Sequence, residues 1–312
     1  MVQKIAEDSA EYILPLNMNG LSGRVMRVPS SYRKKREILV VYGHHATLER
    51  WWSLVQNLTP YGNVTMPDMP GFGGMESFSK IKTKPTIDAY AEYLAAFVKL
   101  RYKNKRVTIY AISFGFIVVT RMLQRYPELA KKVDVLVSAV GFMHKDDLTF
   151  SPSFRRLSRV VTRVFATRPV ALFIRYVCLN KFVLKYMYTK LPSSRRRMVE
   201  ITPEEFDQSM EFEVILWQAN DVRTHWLTTS EFLGLNNCRE HVALPVVHVT
   251  SQNDYYLNNL VVEEHMRQVF PDYTQFVSKS KAHVPSVIAD KAAMAVLIPQ
   301  GLKKLLREKP KS

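Results

Sequence analysis

The chain has 312 residues, 47% of them hydrophobic, with ordinary glycine and proline content. That fits a folded domain with a full core and excludes a disordered or collagen-like chain. Two cysteines, Cys178 and Cys238, are too few for a disulfide framework. The formal charge of +16 is uneven: residues 151–200 hold twelve Lys/Arg and one acid, a net +11, which leaves +5 for the rest of the chain.

In chain order, MVQKIAEDSAEY carries acids where an export signal needs an apolar stretch, so the expected location is cytoplasmic. GRVMRVPSS reads as a strand. Ile38 to Tyr42 is a short apolar run ending at Gly43, as in a strand buried on both faces. Trp51 to Leu58 reads as a helix and Asn63 to Pro67 as a strand. Thr86 caps a helical stripe running to Tyr102. Val107 to Tyr110 is a strand, Phe114 to Tyr126 a helix and Val133 to Val140 a strand, with Asp134 expected as a surface charge ahead of it. Such alternation predicts a mostly parallel central sheet flanked by helices. It stops near Phe142. Residues 143–237 pattern as helices and form an insertion between the core parts 1–142 and 238–312. Its greasiest stretch, PVALFIRYVCLNKFVLKYMY, is broken by Arg175, Lys181 and Lys185, so no membrane span is expected. Strand and helix then resume with Pro245 to Thr250, Leu257 to Phe270, Tyr273 to Val277 and a closing helix from Val287 to Arg307. REKPKS reads as a frayed basic tail.

The pentapeptide Ala111-Ile112-Ser113-Phe114-Gly115 sits between a strand and a helix. Small residues two before and two after a serine allow a tight turn that presents the hydroxyl at a helix N-terminus, where amides favour a developing anion. A serine back-bonding within an apolar helix is the plain alternative. A nucleophilic serine needs a base, and the base an orienting carboxylate. Asp254 follows one late strand and His283 the next, so Ser113, Asp254 and His283 each fall at the carboxyl end of a parallel strand, where sites on such sheets lie.

With these residues the sequence resembles the α/β-hydrolase family, in its capped branch of serine esterases and lipases. Val40-Val41-Tyr42-Gly43-His44-His45 resembles the segment that ends in His-Gly, and Asp68-Met69-Pro70-Gly71-Phe72-Gly73 the Asp-x-Pro-Gly-x-Gly loop. Val249 to Asp254 resembles the acid loop and Ala282-His283-Val284-Pro285 the histidine loop. The resemblance spans about 20–142 and 243–305, and implies that the insertion is a helical cap or lid. It implies Ser113 as nucleophile, His283 as general base and Asp254 as its orienting acid. It further implies an oxyanion hole from the amides of Phe114 and of His44 or His45, with Ala111, Gly115 and Gly43 setting the local geometry. Ala111 and Ala282 replace family glycines and Tyr42 replaces a histidine, which leaves open a scaffold with altered activity.

No metal or other cofactor is expected. His44, His45 and Glu49 lack a complete ligand spacing, and Gly71-Phe72-Gly73-Gly74 lacks the lysine and strand–helix unit of a phosphate cradle. His144 with Asp146 and Asp147 is expected in a solvated turn, and His225, His241, His248 and His265 away from catalysis. In the insert, Phe154, Leu157, Val160, Val161, Val164 and Phe165 form an apolar face, expected to pack over the site as a cap with the arginines solvated. The competing reading lays this basic segment on an anionic membrane surface, as a peripheral association; nucleic acid is not an expected partner. The expected reaction is cleavage of a small-molecule carboxylic ester through an acyl-enzyme. The alternatives are a non-catalytic scaffold that binds a ligand or membrane, and an aminopeptidase using an acid among Glu200, Glu204, Glu205, Asp207, Glu211 and Glu213 to hold an amine.

Overall fold

The computed structural model describes residues 2–190, 202–252, 254–280 and 282–308. Eight strands form one sheet in the order β1-β2-β4-β3-β5-β6-β7-β8. They are β1 Ile13–Met18, β2 Leu21–Val28, β3 Glu37–Val41, β4 Asn63–Pro67, β5 Val107–Ile112, β6 Val133–Ala139, β7 Val246–Ser251 and β8 Tyr273–Ser278. β1 pairs antiparallel with β2 and β2 with β4, and every other pairing is parallel. The three apolar runs β3, β5 and β7 are buried along their whole length. Helices cover both faces of a parallel sheet and leave no solvated side, so each strand reads as continuous apolar sequence.

The core helices are α1 Val2–Ala10, α2 Trp52–Leu58, α3 Ile87–Arg101 and α4 Phe114–Arg125. The Thr86 hydroxyl caps α3 by accepting the Ala89 N–H at 3.2 Å. Sequence reasoning gave no separate place to α1 or β1. It also merged the last helices: the structure has α11 Lys291–Met294, a 3-10 turn Ala295–Leu297 and α12 Gln300–Arg307. Pro299 makes the break, because it lacks an N–H and pushes Ile298 out of the helical region, to φ −122° and ψ 75°. Asp134 is a second correction. It lies within β6 with its side chain 3% exposed, and Arg36 pairs with it while also bonding Thr108 and the Glu308 carbonyl. Residues 309–312 of the basic tail lie outside the described residues.

Between β6 and β7 run five described helices: α5 Pro152–Phe165, α6 Arg168–Phe173, α7 Lys181–Lys190, α8 Pro203–Ala219 and α9 Val222–Phe232, followed by α10 Asn259–Val269 in the core. A π-helical turn, Ile174–Cys178, continues α6. The base of the insert is closed by a bridge between His144 and Asn236. α5 and α6 pack on α9, and α7 on α8. The expected burial of the α5 apolar face is overturned except at Phe165, whose ring meets Trp226 at 5.0 Å. Phe154, Leu157, Val160, Val161 and Val164 are exposed, and the buried residues of this helix are Arg155 and Thr162.

Candidate active site

β5 ends at Ile112 and α4 begins at Phe114, so Ser113 alone makes the turn, with φ 47° and ψ −115°. A side chain at such a φ is strained, and the surroundings must hold it there. Here the Ser113 N–H donates to the Ala139 carbonyl at 2.9 Å. Gly115 is a strict requirement, since a Cβ there would stand 2.2 Å from the Val41 carbonyl oxygen and 2.6 Å from that of Tyr42. Ala111 is different. It is fully buried in β5 opposite Val41 and Ser138 and has no positive φ, so its methyl needs no special backbone.

The loops after β7 and β8 bring the two expected partners to this serine. His283 Nε2 lies 3.0 Å from Ser113 Oγ, and its Nδ1 lies 2.6 Å from Asp254 Oδ2. The other Asp254 oxygen accepts the N–H groups of Tyr256 at 2.9 Å and Leu257 at 3.2 Å. A carboxylate accepting from Nδ1–H leaves the lone pair on Nε2, facing the serine. Asp254 is 1% exposed and His283 12%, so water screens this contact little. The Tyr256 ring meets the imidazole edge to face at 5.5 Å.

On the other side of Ser113 lie the turn residues after β3. Phe114 is the first residue of α4, and its N–H has no acceptor within the helix. Gly43 sits against the elbow: a Cβ on it would be 3.4 Å from both the Ile112 oxygen and Ser113 Cβ. The His44 ring packs edge-on against Phe72, Phe114 and Phe232, and its Nε2 lies 2.8 Å from Thr228 Oγ1 and 3.2 Å from the His225 carbonyl. His45 has φ 55°, and its Nδ1 accepts from the Asn220 amide at 3.2 Å. Ser113, His283 and Asp254 thus meet at this turn, with Phe114, Gly43 and Gly115 against it, while His45 faces the insert.

Tyr42, in place of a family histidine, has its own role. Its hydroxyl donates to Asp68 Oδ1 at 2.9 Å and accepts the Met69 N–H at 2.8 Å. Arg24 and the Gly74 N–H bond the other Asp68 oxygen, at 2.9 and 2.8 Å. Burial pushes the Asp68 carboxyl up to about 6, with Arg24 pulling the other way. Gly73, at φ 63°, leaves the space that Asp68 fills. This loop grips the insert: the Gly73 N–H donates to Asn220 Oδ1, and the Asp221 N–H to the Gly71 carbonyl, both at 2.8 Å.

The sequence reading missed the wall supplied by the insert. His225, set aside there, has its ring 4.5 Å from His44, 4.8 Å from His45 and 4.6 Å from Trp217. No local spacing could mark His225, Thr228 or Asn220, because their partners lie some 180 positions away in the chain. Asp146 lies in the expected exposed turn, but Asp147 needs correction. Asp147 is fully buried, accepts the Met143 and His144 N–H groups, and lies 2.5 Å from His265 Nδ1. His248 is buried in β7, 3.0 Å from Ser138 Oγ, and burial lowers it to about 4. Glu49 faces Arg24 and does not join His44 and His45. Among the described residues no three His, Cys, Asp or Glu side chains converge as a metal site, and no helix is long and apolar enough to cross a membrane.

The sequence model of the alpha/beta hydrolase fold matches residues 38–286. No curated protein matches significantly. Among solved structures, an esterase from Thermogutta terrifontis is 15% identical, with a TM-score of 0.63 over 95% of this chain and 98% of its own. The enol-lactonase from Burkholderia xenovorans LB400 is 13% identical, with a TM-score of 0.64 over 95% and 100%. A membrane phospholipase A described as a bacterial virulence factor is 13% identical, with a TM-score of 0.66 over 99% and 92%. With the eight-stranded, mostly parallel sheet and this order of motifs along it, the chain belongs to the α/β-hydrolase family.

Proposed function

We propose that the protein is a serine hydrolase that cleaves a carboxylic ester through an acyl-enzyme on Ser113. The observation that carries this reading is the continuous hydrogen-bonded chain Ser113 Oγ–His283–Asp254 built on a strained elbow. His283 Nε2 takes the serine proton as Oγ attacks the ester carbonyl. The amides of Phe114 and His44 stabilise the resulting oxyanion. Collapse breaks the ester C–O bond, and His283 returns its proton to the leaving alcohol. Water, deprotonated by the same nitrogen, then attacks the acyl carbon; Oγ leaves and recovers the proton. Asp254 holds the tautomer throughout and stabilises the imidazolium. An ester substrate agrees with the esterase, lactonase and phospholipase among similar folds.

Among the described residues, most of the acids considered for holding an amine are engaged elsewhere, which weighs against the aminopeptidase alternative. Glu205 belongs to a helix capping box, Asp207 and Glu211 pair with Lys185 and Lys181, and Glu204 is exposed. Glu213 lies 4.0 Å from His45 and accepts from the Tyr188 hydroxyl. Glu200 lies outside the described residues. Reaction with a fluorophosphonate probe, followed by a series of esters of increasing acyl length, tests the proposal. Labelling that is absent in the wild type, or unchanged in Ser113→Ala, would remove it and leave the non-catalytic scaffold.

A further inference from the structure

The insert turns its helices the wrong way round for a surface meeting only water. On α5 the inward positions are Arg155, Arg159 and Thr162. Arg155 is 7% exposed, donates to the Phe150 carbonyl at 2.9 Å and pairs with Asp146. The Arg159 guanidinium lies against Gly234. The outward positions are Phe154, Leu157, Val160, Val161 and Val164, between 37 and 64% exposed. The following turn repeats the pattern. Arg175 points inward and caps the end of α8 through the carbonyls of Trp217, Gln218 and Asn220, at 2.9 to 3.3 Å. Leu172, Phe173, Tyr176 and Val177 point outward, up to 79% exposed. Since α5 and α6 touch each other and share α9 as their support, these outward faces lie side by side. The patch is larger than the scattered apolar residues normal on a protein surface.

The charge around it selects the occupant. Residues 151–190 contain nine Lys/Arg and no Asp or Glu. With 3.6 residues per turn, the exposed Arg156 and Arg163 run along one flank of the α5 stripe, and the exposed Arg168 sits one turn before Leu172. A second copy of this chain would set cation against cation. A bilayer bearing anionic headgroups offers both what the apolar stripe and what the arginines need, with their aliphatic stems in the boundary and their charges at phosphate level. We infer that the outer face of α5, α6 and the turn after them is an interfacial docking surface for an anionic lipid bilayer. Helix α9 lies between this face and the site, packing on α5 while its Thr228 bonds His44. The bound enzyme therefore holds its site about one helix thickness, roughly 10 Å, above the lipid.

Binding is measured without turnover, on the Ser113→Ala chain, by co-sedimentation with phosphatidylglycerol/phosphatidylcholine vesicles and with pure phosphatidylcholine vesicles. The expected result is binding to the anionic vesicles that weakens as salt is raised. The triple change Arg156→Gln, Arg163→Gln and Arg168→Gln should weaken it by roughly fivefold per residue, on the order of a hundredfold together. Phe154→Ser with Leu157→Ser should weaken it while leaving the melting temperature in place, because both side chains already face outward. Absence of binding to anionic vesicles overturns the proposal, as does binding indifferent to salt and to the arginines. Self-association without vesicles that the Phe154/Leu157 change abolishes would also overturn it, assigning the face to a second copy. Each outcome is independent of whether Ser113 reacts.

Discussion

Gly115→Ala is the sharpest probe of how the elbow is built. The added Cβ would stand 2.2 Å from the Val41 carbonyl oxygen, 2.6 Å from the Tyr42 oxygen and 2.8 Å from the Val41 carbonyl carbon. All three are backbone atoms of the buried end of β3 and the residue after it, and no flexible side chain can move aside. Ordinary contact needs a separation of about 1 Å more, so α4 must back away from β3 by that amount. Overpacking of this kind costs about 1–3 kcal/mol, equivalent to a fall of roughly 2–6 °C in melting temperature for a chain of this size. The same displacement carries Ser113 Oγ and the Phe114 amide away from His283 and the oxyanion position. A 1 Å misplacement costs about a hundredfold in rate. Gly43→Ala is the control, because its Cβ would meet its nearest neighbours at 3.4 Å and its φ is not positive. Thermal melts and the rate of fluorophosphonate labelling, run on both variants, read the two effects separately. The reasoning fails if Gly115→Ala melts and reacts like the wild type, or if Gly43→Ala is the more damaged of the two.

Asp254→Asn should leave the fold intact but lower the labelling rate by about four orders of magnitude, since an amide has one acceptor oxygen and cannot accept both the backbone N–H groups and the His283 Nδ1–H; a loss below tenfold would exclude Asp254 as the orienting group. Tyr42→Phe should lower stability by about 2 kcal/mol or more in urea unfolding, because Asp68 Oδ1 and the Met69 N–H are both left unpaired in the interior; an unchanged midpoint would mean that this network does not hold the loop. His248 has the opposite dependence on pH from a paired histidine. Its folded value near 4 lies below the ordinary 6.5, so only the unfolded chain takes up the proton between them, and the stability it contributes is complete above pH 6.5 and lost as pH falls toward 4. That loss is about 3 kcal/mol, and His248→Gln should remove it. Urea midpoints that drop equally in both chains over this range would refute the assignment.

The sequence alone was enough to define the core and the order in which Ser113, Asp254 and His283 follow its strands. Continuous apolar runs such as Ile38–Val41 and Val107–Ile112 have one stable home, a strand covered on both faces, and the small residue two after Ser113 marks where a neighbouring strand's backbone leaves no room for a Cβ. Parallel strands deliver their carboxyl ends to one edge, so Asp254 and His283, each just past a strand, were brought to Ser113 by topology that the strand–helix alternation already implied. The tertiary structure decided everything that depends on distant partners. Whether the insert's apolar or basic face turns inward follows from what Arg155 and Arg175 find to bond: Asp146 and the end of a helix more than forty residues away. Periodicity reveals that a helix has two faces, but the side facing the core is set by the groups waiting there. The same holds for His225, Thr228 and Asn220, whose place beside His44 and His45 exists only once the insert has folded over the elbow.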